Sequence, residues 1–161
     1  MCIRDSLNIS PKSQGVVSSG VLDTNQKKSI ELDNTRFSLH PLAYQLIIPA
    51  IDECTNRYVE KYTPLQHMDK WGIDDEFTLM KFEGEDEGFK VWHMEHGKTP
   101  DCSKRILVWM FYLNDAQCGT EFYHHPNIES KKGRLVIWPA GWTHYHKGCL
   151  LYTSPSPRDR G

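Results

Sequence analysis

The chain lacks any apolar run near the roughly 20 residues that a bilayer-spanning helix needs. Its first six residues (MCIRDS) have no apolar stretch of the secretory-leader kind. Neither charge sign is in excess: 19 Lys and Arg against 21 Asp and Glu leave a net charge of −2. That balance gives no electrostatic case for nucleic acid or an anionic membrane as partner. No C-x-x-C pair occurs, and five cysteines, odd in number and irregularly spaced, do not read as a disulfide framework or a zinc site. Reduced thiols and an intracellular, cytoplasmic setting are therefore expected. No internal repeat is present. What remains is ordinary globular composition, 39% hydrophobic and 25% charged, in 161 residues, enough for one domain with one core.

Composition shifts divide the chain. Residues 1–6 and 149–161 (CLLYTSPSPRDRG) have neither helix nor strand periodicity and read as translated adapter sequence, foreign to the protein. Residues 7–39 are polar and expected to be weakly structured, with at most a short edge strand around Gly15 to Leu22. From Pro41 to before Pro64, apolar residues recur at three- and four-residue steps, the pattern of an amphipathic helix with proline in its first turn. Short β-like runs follow at Phe77–Phe82, Phe89–Glu95, Arg105–Leu113, Thr120–Tyr123, Gly133–Trp138 and Trp142–His146. Gly, Pro, Asn and Asp punctuate the gaps. The run at Arg105–Leu113 is apolar throughout, as in a strand covered on both faces. The fold class expected is mostly β with a leading helix (α+β), a sandwich or jelly-roll over residues 40–148.

The feature richest in chemistry is His93-Met94-Glu95, with His146 following 51 residues after Glu95. Spaced by one residue, His93 and Glu95 would share one face of a strand. A histidine from a second strand would complete two imidazoles and one carboxylate, the facial triad of non-haem Fe(II) oxygenases, with three positions left open. The other histidines have plainer readings: His40 and His67 flank the helix, His96 faces away from Glu95, and His124 and His125 sit at a turn. His144 and His146 would share a strand face, so periodicity alone does not choose between them.

Sequence around these residues resembles a known family. Trp92-His93-Met94-Glu95, Arg105 to Asp115 (RILVWMFYLND), Gly119 to Phe122 (GTEF), Lys132 to Gly141 (KGRLVIWPAG) and Thr143 to Gly148 (THYHKG) carry the likeness. In that order and spacing, Val91 to Gly148 resembles the prolyl-4-hydroxylase-like branch of the Fe(II)/2-oxoglutarate-dependent dioxygenases. The resemblance implies a double-stranded β-helix (jelly-roll) core, here without its last strand. It implies Fe(II) held by His93, Glu95 and His146, with His144 as second choice for the distal ligand. It also implies 2-oxoglutarate as cosubstrate, dioxygen, and ascorbate as reductant. The reaction implied is hydroxylation of an unactivated C–H on a peptidyl or small-molecule substrate, with succinate and carbon dioxide as co-products. Trp92, Trp109 and Trp138 are candidates for an apolar shell around the metal or for plain core.

Three residues depart from the family's pattern. The basic residue that anchors 2-oxoglutarate follows the distal histidine by one strand, a position beyond Gly148. Arg158 stands 12 residues after His146, inside the tail read as foreign. Phe82 occupies the usual tyrosine position and has no hydroxyl, and Cys118 replaces a second glycine before Gly119. The expectation is thus a complete iron triad beside an incomplete cosubstrate site. Two rival readings stand: a cupin-like metalloprotein without 2-oxoglutarate, for which His144-Tyr145-His146 supplies a late His-x-His, and a non-catalytic jelly-roll binding module.

Overall fold

Apolar spacing beyond Pro41 becomes one long helix, α1 (Pro41–Lys61), with Pro41 opening it where a missing N–H costs nothing. The computed structural model describes residues 13–14, 22–35, 41–73, 76–82, 84, 87–116 and 118–148. Pro49 lies inside α1 and removes one backbone donor there. A 3-10 turn at Thr63–His67 follows, with Pro64 in its first positions.

Strands come in short antiparallel pieces. In chain order they are β1 (Ser13–Gln14), β2 (Lys27–Lys28), β3 (Ile30–Thr35), β4 (Glu76–Lys81), β5 (Gly88–Phe89), β6 (Leu107–Phe111), β7 (Thr120–Phe122), β8 (Leu135–Pro139) and β9 (His146–Gly148). A single-turn helix, α2 (Pro100–Ser103), precedes β6 and is capped by Thr99, whose side chain accepts from the Cys102 amide. The sheets pair as β1-β3-β4, β2-β5, β6-β8 and β7-β9, and among the described residues they close no barrel. The architecture is mixed helix and strand.

Side chains along β6 and β8 point alternately to two covered faces. Trp109, Phe111 and Leu135 pack with Ile73, Phe77 and Leu113 around the buried cluster of Ile47 and Ile51 from α1 and Leu79 from β4. The intervening residues face the other way: the Met110 sulfur lies 3.5 Å from the Thr120 hydroxyl of β7. The Trp138 ring meets Phe122 edge-on at 5.4 Å. So α1 covers one side of the β6–β8 pair and β7–β9 covers the other, which is why Arg105–Leu113 has no polar alternation.

Several expectations are corrected. Residues 7–39 were expected to hold little, yet β3 runs six residues and pairs along its length with β4. Lys27 of the preceding strand β2 forms a buried 2.6 Å ion pair with Glu31 of β3, with Ser29 donating to the same carboxylate. Polar residues hid this unit because they are matched with one another. Of the expected edge strand at 15–22, only Leu22 lies within the described residues, and it is in no strand. Phe89–Glu95 is not a continuous strand: β5 ends at Phe89 and His93 forms only an isolated bridge. Trp142–His146 is not a strand either, because Gly141 opens a 3-10 turn over Trp142–His144 and β9 begins at His146. Cys118 is disulfide-bonded, against the reading of reduced thiols throughout, whereas Cys54 and Cys102 are free. No helix among the described residues is long and apolar enough to cross a membrane. The segments 1–6 and 149–161, His40 and Arg158 lie outside the described residues.

Candidate metal centre

One backbone bridge assembles the site. The His93 amide donates to the His146 carbonyl at 2.8 Å and the His146 amide returns to the His93 carbonyl at 3.0 Å. This reciprocal antiparallel pair places the two imidazoles side by side, ring centres 4.4 Å apart. Glu95, two residues on, turns its carboxylate between them. Its Oε1 stands 3.5 Å from His93 Nε2 and 3.7 Å from His146 Nε2. The three ligand atoms all lie within 4.8 Å of one another, the one such group of His, Cys, Asp and Glu among the described residues.

Backbone carbonyls choose the tautomers. His93 Nδ1 is 2.9 Å from the Val91 carbonyl, and His146 Nδ1 is 2.7 Å from the His144 carbonyl. A carbonyl oxygen can only accept, so both Nδ1 atoms carry hydrogen, and on a neutral ring Nε2 is then a lone pair turned toward Glu95. Three acceptors facing one another repel unless positive charge stands among them. Burial alone would raise the Glu95 carboxyl. Hydrogen bonds and charge from His146 and His93 outweigh it and hold Glu95 far below the ordinary carboxylate range. Protons on Nε2 or a cation among the three atoms supply that charge.

A metal ion fits this donor set. An ion centred between the three atoms is no more than about 2.4 Å from each, against about 2.0–2.2 Å for imidazole nitrogen and carboxylate oxygen on a divalent first-row metal. Ligation needs an inward movement of a few tenths of an ångström, within side-chain reach. Two nitrogens and one oxygen suit a divalent first-row metal, zinc as well as iron, and three protein ligands leave room for others. Arg105 donates to Glu95 Oε2 at 3.1 Å, which leaves Oε1 as the atom turned toward the histidines.

The walls are aromatic. The Phe89 ring stacks on His93 at 3.7 Å. Phe122 and Trp138 flank His146, at 5.6 and 5.2 Å, and His146 is only 3% exposed. The buried Trp138 Nε1–H has no hydrogen-bond partner.

His93, Glu95 and His146 thus come together as the sequence suggested. His144 does not join them: its ring stacks on His125 at 4.3 Å and 11°, and its Nδ1 lies against the Thr143 hydroxyl. Partial burial, then the charges of His125 and His146, push its imidazole below the usual histidine value. Its contribution to the site is its carbonyl. Phe82 lies one residue past β4 and is 49% exposed. Of the three tryptophans only Trp138 lines the site, since Trp109 belongs to the α1 core and Trp92 packs on Tyr123 and Tyr145. Reading the sequence missed Arg105 and Phe89 as supports of the centre. The carbonyls of Val91 and His144 have no side-chain signal, but an arginine downstream of a half-buried glutamate is one that was available. Comparison of the chain with protein-family models, with curated proteins and with solved structures finds no match.

Proposed function

We propose that this chain is an Fe(II)- and 2-oxoglutarate-dependent dioxygenase of prolyl-4-hydroxylase type, acting on a carbon of a peptidyl or small-molecule substrate. The observation that carries the reading is the convergence of two histidine lone pairs and one carboxylate, with tautomers fixed by backbone carbonyls. The likeness of Val91–Gly148 to that family supplies the reaction class, and a jelly-roll core with β7–β9 opposite β6–β8 is the fold that this reading entails.

Ferrous iron bound there supplies open coordination positions and a redox couple for the use of dioxygen and 2-oxoglutarate. The chain's own residues do the remaining work. His93 and His146 present Nε2, held in plane by their Nδ1–H bonds. Glu95 balances charge through Oε1 while Arg105 holds Oε2. Phe89, Phe122 and Trp138 keep water from the imidazoles, which strengthens each electrostatic contact. The His144 ring lies outside the group, so a cupin-like His-x-His set has no support from the geometry.

Anaerobic titration with Fe(II), then with 2-oxoglutarate, tests the proposal. Iron binding is the expected result; with a basic anchor supplied on a strand after β9 it should be followed by a weak visible charge-transfer band, and by succinate on admission of oxygen and a substrate. Iron binding without that band would leave a metalloprotein that does not use 2-oxoglutarate. Failure to bind iron would overturn the metal centre itself.

A further inference from the structure

His93 is the more exposed of the two imidazoles; besides the His146 ring and the Glu95 carboxylate of the group itself, it meets the Val91 carbonyl on Nδ1 and the Phe89 ring on its face. The stack is close, with ring centres 3.7 Å apart and planes 17° from parallel. Phe89 has little freedom to retreat. Its backbone is opposite Lys27 in the β2–β5 pair, and the next amide, Lys90, donates to the Gln26 carbonyl at 2.7 Å. On the other side Gly148 approaches so closely that a Cβ there would sit 3.0 Å from the Phe89 nitrogen. The Lys27 ammonium stands 5.4 Å from the Phe89 ring centre and is itself fixed by the buried Glu31 carboxylate.

From this arrangement we infer that Phe89 is a positioning residue for the metal: its ring sets the plane of His93, so that Nε2 meets the ion without reorientation. The inference rests on the metal-centre reading proposed above. An imidazole that coordinates a cation becomes electron-poor, and the π-face of an aromatic ring stabilises it more than it stabilises the free imidazole. The contact therefore favours the loaded form over the empty one, as outer partners of metal-bound histidines do. A merely space-filling Phe89 would affect both forms alike.

Co(II) is the probe, added to the full chain under anaerobic conditions and followed by its visible d–d absorption. Phe89→Leu keeps apolar volume and removes the π-face; Phe89→Trp and Phe89→Tyr keep the face. Phe89→Leu should weaken Co(II) binding about tenfold and alter the d–d envelope, and the Trp or Tyr variant should restore both. Leu79→Ala, in the α1 core away from the site, controls for lost stability and should leave Co(II) affinity unchanged. In the metal-free protein, the His93 ring protons should resonate upfield because of the stacked ring, and that displacement should vanish in Phe89→Leu. Wild-type binding with Phe89→Leu within twofold of it would overturn the role of Phe89 and leave the metal centre standing. No Co(II) binding by the wild type would overturn both. A loss equal to that of Leu79→Ala would reduce Phe89 to core packing.

Discussion

Glu95→Gln separates the charge of the centre from its shape, because the amide matches the geometry that the carboxylate leaves behind. The Gln carbonyl can accept from Arg105, where Glu95 Oε2 now sits 3.1 Å from Nη1. Its NH2 then lies between two Nε2 atoms that are acceptors, at the present 3.5 and 3.7 Å from Oε1. Each hydrogen bond so formed contributes about 1 kcal/mol, so the metal-free variant should be as stable as wild type or slightly more so. Metal binding should collapse. A unit charge removed from beside a divalent ion at ~4 Å, in a site of effective dielectric ~20, costs about 4 kcal/mol per ionic charge, roughly a thousandfold or more in affinity. Thermal unfolding with and without Co(II) reads both halves. At about 100 times its Kd the metal should stabilise the wild type by about 2.7 kcal/mol and the Gln variant by almost nothing. A Gln variant that melts well below wild type without metal would refute the tautomer assignment, and one that Co(II) still stabilises as wild type would refute Glu95 as a ligand.

Other outcomes follow from the same geometry. Arg105→Ala frees Glu95 Oε2 and should weaken Co(II) binding about tenfold at unchanged helix content, as measured by titration and circular dichroism. His146→Ala should abolish Co(II) binding, while His144→Ala should retain it within a few-fold, because only the carbonyl of residue 144 serves the site. Gly119→Ala should cost about 3 kcal/mol or more in urea unfolding, since its Cβ would fall 2.0 Å from the Ile128 carbonyl oxygen and 2.7 Å from the Ser130 nitrogen. The β7–Ile128 bridge leaves no room for that group to move.

Helix α1 was legible because its signal is local: apolar spacing from Pro41 and a proline just past its end match the bounds Pro41–Lys61. The buried run at Arg105–Leu113 was legible for the same reason, narrowed by the structure to Leu107–Phe111. The N-terminal strands were not. Lys27, Ser29 and Glu31 are buried through one another, and a polar trio reads as surface until its members are seen to pair. Sheet order also escaped, since β2 pairs with β5 and β7 with β9 across long stretches of chain, contacts that no window of sequence encodes.

His93, Glu95 and His146 do converge, but not by the regular strand from which their meeting was expected. His93 and Glu95 were matched by strand alternation, yet His93 holds only a single bridge and the chain leaves regular extension on either side of it. The Val91 carbonyl, which a longer ladder could have used, accepts from the His93 ring instead. What convergence needs is one reciprocal backbone pair, His93 with His146, and a carboxylate within two residues of it. Alternation predicts that outcome but is stricter than it requires. The choice between His144 and His146 illustrates the converse. On a continuous strand the two would be equivalent, and it is the 3-10 turn opened by Gly141 that ends the equivalence. That turn sends the His144 ring to His125 and aims its carbonyl at His146 Nδ1, so residue 144 stays out of the three-residue group yet sets the tautomer of His146 within it.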